Sequence, residues 1–208
     1  ILSMNNRVVI RSLVLPEGYI AAMDDGMISW RPSEGNRRNT RLPYPVTTLL
    51  AVGGPSGKCE SIWCGDSQGN ITHISIPMLK VLDKYSLNSS SIRAICAVST
   101  TSDKVLVGTS NGEIWTLGKE VPGSQILLFS LNKAVTSIRC NESNITIQSG
   151  WSRYVFDWTG EEIEHHDQNR IFNKKQSKRD NRRAKLLKVQ YEKGALPEAR
   201  LLDMPLIA

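Results

Sequence analysis

Short apolar runs alternate with polar, glycine-bearing turns along most of this chain, and the runs are too short for helices. Val105-Leu106-Val107 and Ile114-Trp115-Thr116-Leu117 read as strands, as do Ile145 with Ile147 and Tyr154-Val155-Phe156 with Trp158. The runs recur at a fixed spacing. Asp25-Gly26-Met27-Ile28, Gln68-Gly69-Asn70-Ile71 and Asn111-Gly112-Glu113-Ile114 share one local pattern, with successive glycines 43 residues apart. An even period of that size, built from short strands and polar-Gly turns, marks a blade-repeat β architecture.

The repeat extends beyond its glycines. Cys64-Gly65 falls on Val107-Gly108, Ile74 on Leu117, and Ile92 with Ile95 on Val135 with Ile138. Val46, Leu49, Ala51 and Val52 precede Ile92, Ile95, Ala97 and Val98 by 46, as a small loop insertion requires. In the clearest unit the predicted strands are Ile92 to Val98, Lys104 to Thr109, Glu113 to Leu117 and Gln125 to Ser130. Turn pairs Asp25-Gly26, Gln68-Gly69 and Asn111-Gly112 lie between two runs each, where a hairpin needs the positive φ that Asn-Gly and Asp-Gly adopt at least cost. A fourth, worn copy places Val155 on Ile114, with Arg153 where a glycine is expected. The prediction is an all-β fold of about four four-stranded antiparallel blades over residues 1–167, followed by a basic α-helix and an extended tail over 168–208.

On the Gly-x-Ile turn leading into each third strand, residues 7 to about 165 resemble a degenerate WD40-type β-propeller. The Trp-Asp dipeptide of that family is missing, since Trp30 is followed by Arg31 and Trp158 by Thr159, and so is its Gly-His pair. Quinoprotein-like and ligand-sensing propellers share the Gly-x-Ile pattern. The resemblance implies protein–protein scaffolding and rings of seven or eight blades. Four blades then pose an assembly problem, because an array must cap or close its ends. A homodimer, a partner chain supplying the missing blades, and a closed four-blade ring all satisfy it. The chain opens Ile1-Leu2-Ser3-Met4, with no methionine in first place, and reads as a processed or truncated end.

Composition is that of an ordinary globular protein, 40% hydrophobic and 22% charged over 208 residues. No apolar stretch approaches the ~20 residues a spanning helix needs, and Arg7 and Arg11 interrupt the first one. Cys59, Cys64, Cys96 and Cys140 form no C-x-x-C pair and read as buried thiols in a cytoplasmic or other intracellular setting. Cys59 and Cys64 fall on opposite faces if their strand is regular, while Cys96 and Cys140 occupy equivalent first strands of successive blades. Triplets of the Asn-x-Ser/Thr kind at Asn70, Asn88, Asn141 and Asn144 read as chance; a mature secreted chain, in which they would be acceptors, stays open.

Charge is unevenly divided. Between Gln168 and Lys193 ten Lys or Arg stand against Asp180 and Glu192, a net +8, which leaves about −2 on the rest. Ser177 and Asp180 fit a capping box, Gly194 a C-terminal stop, and Ala184, Leu187 and Tyr191 a narrow apolar stripe. Lys174, Lys175, Lys178, Arg179, Arg182, Arg183, Lys185 and Lys188 are therefore candidates for phosphate or partner binding. Such a helix packs its stripe on the propeller or a partner, binds nucleic acid through phosphates, or lies on an anionic membrane. Leu201, Leu202, Met204, Leu206 and Ile207 form an apolar tail suited to docking on a blade edge or a partner groove.

Catalytic patterns fail on inspection. Gly53-Gly54-Pro55-Ser56-Gly57-Lys58-Cys59 lacks phosphate-loop spacing and a magnesium-holding hydroxyl, and reads as a turn between strands. His165-His166-Asp167 has no second cluster to complete a metal site, and His73 occupies the blade position of Trp30 and Thr116. Asp24, Asp25, Asp66 and Asp157 sit where carboxylates satisfy turn N–H groups. The expectation is a non-enzymatic interaction module with no cofactor or metal, whose partner is another protein or a second copy. Two alternatives are a nucleic-acid or ribonucleoprotein factor acting through the basic helix and a quinoprotein-like or ligand-sensing propeller.

Overall fold

The computed structural model describes residues 7–54, 57–87, 90–98, 104–118, 125–167 and Lys178. The chain divides into two units, Ile1–His165 and His166–Ala208. The predicted basic helix and tail lie outside the described residues except for Lys178, which is helical and exposed. Four antiparallel four-stranded sheets follow one another along the first unit. Blade 1 comprises β1 (Val9–Leu15), β2 (Gly18–Met23), β3 (Met27–Pro32) and β4 (Arg38–Arg41). Blade 2 comprises β5 (Val46–Gly53), β6 (Cys59–Asp66), β7 (Asn70–Ser75) and β8 (Val81–Ser86). Blade 3 comprises β9 (Ile92–Ala97), β10 (Val105–Thr109), β11 (Glu113–Leu117) and β12 (Gln125–Ser130). Blade 4 comprises β13 (Val135–Cys140), β14 (Ile145–Ser149), β15 (Ser152–Phe156) and β16 (Glu162–Asp167). The fold is a four-blade propeller-like array, and the strands predicted for the clearest unit agree with β9 to β12 to within a residue at each end.

The 43-residue period has a backbone cause. Gly26, Gly69 and Gly112 have φ of +81°, +85° and +90°, a region closed to most L residues. Their carbonyls accept the N–H groups of Leu42, Leu87 and Leu131 at 2.9, 3.0 and 2.9 Å. Each turn thus holds both its own hairpin and the residue that leads into the next blade. Blade 4 departs from the pattern. Its second and third strands are joined by the two-residue turn Gly150-Trp151, with Ser149 opposite Ser152 and Gly150 at φ +58°, so Arg153 is a strand residue opposite Gln148 and no glycine belongs there. Trp158, expected in a strand, lies in the turn between β15 and β16 and donates its indole N–H to the Glu142 carbonyl at 3.2 Å.

Consecutive blades share apolar seams. Ile20, Ala22, Ile28 and Trp30 meet Val46, Ile62, Cys64 and Ile74 between blades 1 and 2. Val52, Trp63, Ile71 and Tyr85 meet Ile92, Val105, Val107 and Leu117 between blades 2 and 3. Ala94, Leu106 and Ile114 meet Val135, Ile138, Ile145, Ile147 and Phe156 between blades 3 and 4. Alternation makes this sharing possible: Ile62 and Cys64 face blade 1 while Trp63 faces blade 3. A bulge at Glu60, where Val52 pairs with Ser61 but Gly53 with Cys59, resets that alternation. Cys59 and Cys64 consequently pack on the same seam, not on opposite faces. The innermost strands β1, β5, β9 and β13 pack in sequence, and among the described residues nothing comparable joins β13 to β1.

Candidate functional site

Side-chain oxygens cap the turns that join the second and third strands. Asp66 Oδ1 accepts the N–H groups of Gln68 and Asn70 at 2.8 and 2.9 Å. In blade 3 the Thr109 hydroxyl takes the same place, accepting the Glu113 N–H at 3.1 Å next to Asn111-Gly112. Blade 1 has Met23 there, and Asp25 accepts the Met27 N–H at 3.1 Å instead. Asp25 also pairs with Arg7 at 3.0 Å and Arg41 at 2.6 Å. Desolvation pushes its carboxyl up, but the Met27 N–H and the two guanidiniums outweigh this and hold it below the ordinary 3.8. Asp157 caps the β15–β16 turn by accepting the Thr159 hydroxyl at 2.6 Å and the Glu161 N–H at 2.9 Å, which depress its pKa in the same direction.

A cleft of about 580 Å³ opens at the seam of blades 1 and 2. The first hairpin turn and the β3–β4 loop of blade 1 build one wall, and the β5–β6 and β7–β8 loops of blade 2 build the other. Glu17 ties the walls together, since its Oε1 accepts the Cys59 N–H at 3.2 Å. Glu17 Oε2 and the indole Nε1 of Trp30 are shut off from solvent and take no hydrogen bond among the described residues. Arg38 and Lys58 add cationic character, and Pro32 and Pro77 apolar surface. Such a hollow accommodates a side chain or short peptide segment offering both donor and acceptor groups. No histidine lines it, and burial above all pushes the Cys59 thiol up, away from the thiolate a nucleophile needs. Among the described residues no group of three or more His, Cys, Asp or Glu could hold a metal.

The last blade of the array differs from its middle. Strands β6 and β10 are buried almost throughout, as strands covered on both faces must be, whereas β14 alternates between buried and half-buried residues. The outward face of blade 4 carries Ser137, Arg139, Thr146, Gln148 and Arg153, with the buried Val155 beside Thr146. On blade 1 the face turned away from blade 2 carries Ala21, Met23, Met27 and Ser29, which are buried, the first three as a small apolar cluster, with Arg7 reaching Met27 Sδ and Arg37 reaching Ser29 Oγ. Toward its rim Arg31 lies 5.5 Å from the ring centre of Tyr19, and Val14 is 89% exposed.

His73 is a packing residue, 1% exposed, stacked on Trp63 at 4.1 Å and 3.3 Å from Asp83 through Nδ1. His165 stacks on Tyr154 at 4.3 Å. Of the basic candidates only Lys178 lies among the described residues; Lys174, Lys175, Arg179, Arg182, Arg183, Lys185 and Lys188 lie outside them, as do Leu201, Leu202, Met204, Leu206 and Ile207. The cleft residues Glu17, Trp30 and Lys58 escaped the sequence reading, because they come from loops of two different blades and share no motif. Asp-x-x-Gly, present at 66–69 and again at 157–160, is the signal that finds the capping carboxylates.

No family model matches the chain, and no curated protein matches it significantly. Solved structures do. The computationally designed Ika8 protein superposes with a TM-score of 0.63 at 14% identity over 76% of this chain and 49% of its own. The designed Ika4 protein gives 0.62 at 17% identity, over 76% of this chain and 95% of its own. Saccharomyces cerevisiae Sqt1, a WD40-type propeller protein, gives 0.66 at 16% identity, over 76% and 49%. At these identities the likeness is one of fold. The chain spans about half the length of Ika8 and of Sqt1, and nearly all of Ika4. No helix among the described residues is long and apolar enough to cross a membrane.

Proposed function

We propose that the chain is a non-enzymatic protein-interaction module: four blades of a larger propeller, completed by blades from a second copy or from other polypeptide. One observation carries this reading. Three blade-to-blade seams are apolar and tightly buried, while among the described residues no comparable seam joins β13 back to β1. A blade sheet gains its stability by burying both faces against neighbours, so the partly exposed outward face of blade 4 is where a partner adds most. The half-length match to Ika8 and Sqt1 supports the same stoichiometry, and the WD40-type neighbours support a scaffold role.

Light scattering across a concentration series tests the proposal. A mass of twice the 23.2-kDa chain supports completion by a second copy. A monomer that melts cooperatively and independently of concentration, and whose melting is unchanged by candidate partners, overturns it. Double substitution of Arg139 and Arg153 by glutamate then distinguishes the two modes of completion: it weakens contact with a partner that brings carboxylates to the blade 4 face and strengthens a copy–copy contact that sets that face against Arg31 and Arg37.

A further inference from the structure

The Sγ atoms of Cys96 and Cys140 lie 3.2 Å apart, although 44 residues separate them in sequence. They belong to β9 and β13, the innermost strands of blades 3 and 4, which pack together without being hydrogen-bonded in one sheet. Each thiol is half-buried. Both also turn toward one acceptor, the Ala97 carbonyl, 2.9 Å from Cys140 Sγ and 3.5 Å from Cys96 Sγ. Their side chains are thus already oriented at each other across the seam. Closing the gap to a disulfide takes about 1.2 Å of sulfur movement, within what small changes of χ1 deliver. Cys59 and Cys64 offer no such geometry, lying in one strand with no sulfur–sulfur contact.

We infer that Cys96 and Cys140 are a dithiol modification site that a low-molecular-weight disulfide oxidant, such as oxidised glutathione, converts into a clip between blades 3 and 4. One thiolate attacks the oxidant, forming a mixed disulfide and releasing one glutathione thiol. The second protein thiol attacks the mixed disulfide and releases the other. The net change is a two-electron oxidation of the protein, with both protons passing to the two glutathiones formed. Burial and the neighbouring Cys96 sulfur push the Cys140 thiol up to about 12, so exchange is slow and incubation runs to hours. The clip acts where it matters most: blade 4 is an end blade with one neighbour among the described residues, and β9–β13 is its innermost contact. In a reducing setting the pair stays open and the seam answers to a shift in glutathione poise. The inference does not depend on how the propeller is completed.

The test uses the full chain incubated with oxidised glutathione, then assayed for free thiols, intact mass and thermal melting. Expected are four titratable thiols before and two after, a mass lower by about 2 Da, and a Cys96–Cys140 cross-linked peptide on digestion. The melting temperature rises by about 10 °C, as closing a loop of this length implies, and returns on reduction. Cys140→Ser stops at a stable mixed disulfide on Cys96, with no rise in melting temperature. Retention of all four thiols, or glutathione adducts on the unaltered chain without a cross-link, overturns the inference; this comparison needs no variant to fold.

Discussion

Gly108 offers the sharpest test of the blade seams. It lies in β10, outside the positive-φ region, so space and not backbone conformation makes it glycine. A Cβ built there meets Val135 Cγ1 at 2.5 Å, Val135 Cβ at 2.9 Å and Ile138 Cδ1 at 3.0 Å. Carbon atoms pack best at about 3.5–4.0 Å, so blade 4 must move away from blade 3 by about 1 Å or Val135 must rotate. Overpacking of this kind costs about 1–3 kcal/mol, and alanine's lower backbone entropy in the unfolded chain returns about 0.5–1. Gly108→Ala is therefore expected to lose about 1 kcal/mol. Val135→Ala, which deletes two methyl groups from a fully buried side chain, is expected to lose about 2 kcal/mol.

The double variant decides between steric clash and generic loss of packing. Removing Val135 Cγ1 relieves the nearest contact of the new Cβ, leaving Val135 Cβ at 2.9 Å and Ile138 Cδ1 at 3.0 Å, so Gly108→Ala with Val135→Ala is expected to lose less than the sum of the single losses, about 2 kcal/mol against about 3. Urea unfolding followed by tryptophan fluorescence supplies the free energies, with an unchanged m-value as the check that all four proteins unfold alike. Gly53→Ala serves as control, because its Cβ meets only the Lys58 carbonyl at 3.6 Å, and is expected to stay within about 0.5 kcal/mol. Strict additivity in the cycle refutes the seam reasoning. Gly65, one period earlier, meets Ile92 Cγ2 at 2.4 Å and Ile92 Cβ at 2.7 Å, so Gly65→Ala is expected to lose at least as much.

Three further outcomes are expected. Gly112→Ala combines φ +90° with a Cβ 2.1 Å from the Leu131 carbonyl, and should lose about 3 kcal/mol or more in the same urea assay; a loss below that of Gly108→Ala counts against the turn as the source of the period. Asp25 and Asp157 have folded pKa values below the ordinary 3.8, so their stabilisation is complete above that pH and lost as pH falls through the folded values. Asp25→Asn and Asp157→Asn should accordingly melt below the unaltered chain at neutral pH, with a gap that closes below pH 3.8; melting curves from pH 6 to 2.5 show whether it does. Trp63→Ala removes a fully buried ring stacked on His73 and 5.9 Å from Tyr85, and should lose about 3–5 kcal/mol, with a drop under 1 refuting the aromatic cluster as core.

The sequence was most legible where chemistry leaves no substitute. Only glycine tolerates φ near +85° at low cost, so Gly26, Gly69 and Gly112 announce the hairpin and the period together. Gly65 and Gly108 recur for a different reason, contact with Ile92 and Val135, and this cannot be told from a turn signal without coordinates. Blade 4 was read in the wrong local register because a two-residue turn at Gly150 does the work of the longer one elsewhere, and the Asp-x-x-Gly cap moves to the following hairpin. A single bulge at Glu60 likewise reversed the expected facing of Cys59. The cleft was illegible in principle, since Glu17 and Cys59 meet only through the packing of one blade on the next.

The unequal ends of the array constrain what completes it. An interior blade presents Leu106, Ile114 and Ala94 to its neighbour, a surface worth burying at roughly 25 cal/mol per Å². The outward face of blade 4 instead presents Thr146, Gln148, Arg139 and Arg153, and burying those guanidiniums without partners would cost more than the area returns. A blade docking there must bring carboxylates or carbonyls, or leave the seam wet. The outward face of blade 1 is made of small and sulfur-bearing side chains, Ala21, Ser29, Met23 and Met27, over which Arg7 and Arg37 lie. Those small and sulfur-bearing side chains are already buried, so a further neighbour on this face gains little apolar burial from them. If two copies close one ring, blade 4 of each must meet blade 1 of the other, and the polar face then sits against Arg31, Arg37 and Tyr19. Ring closure by a second copy therefore sets Arg139 and Arg153 against Arg31 and Arg37 and predicts an interface that tightens as added salt screens that repulsion, whereas an unrelated partner with an acidic blade face loosens with salt and at low pH, as its carboxylates protonate.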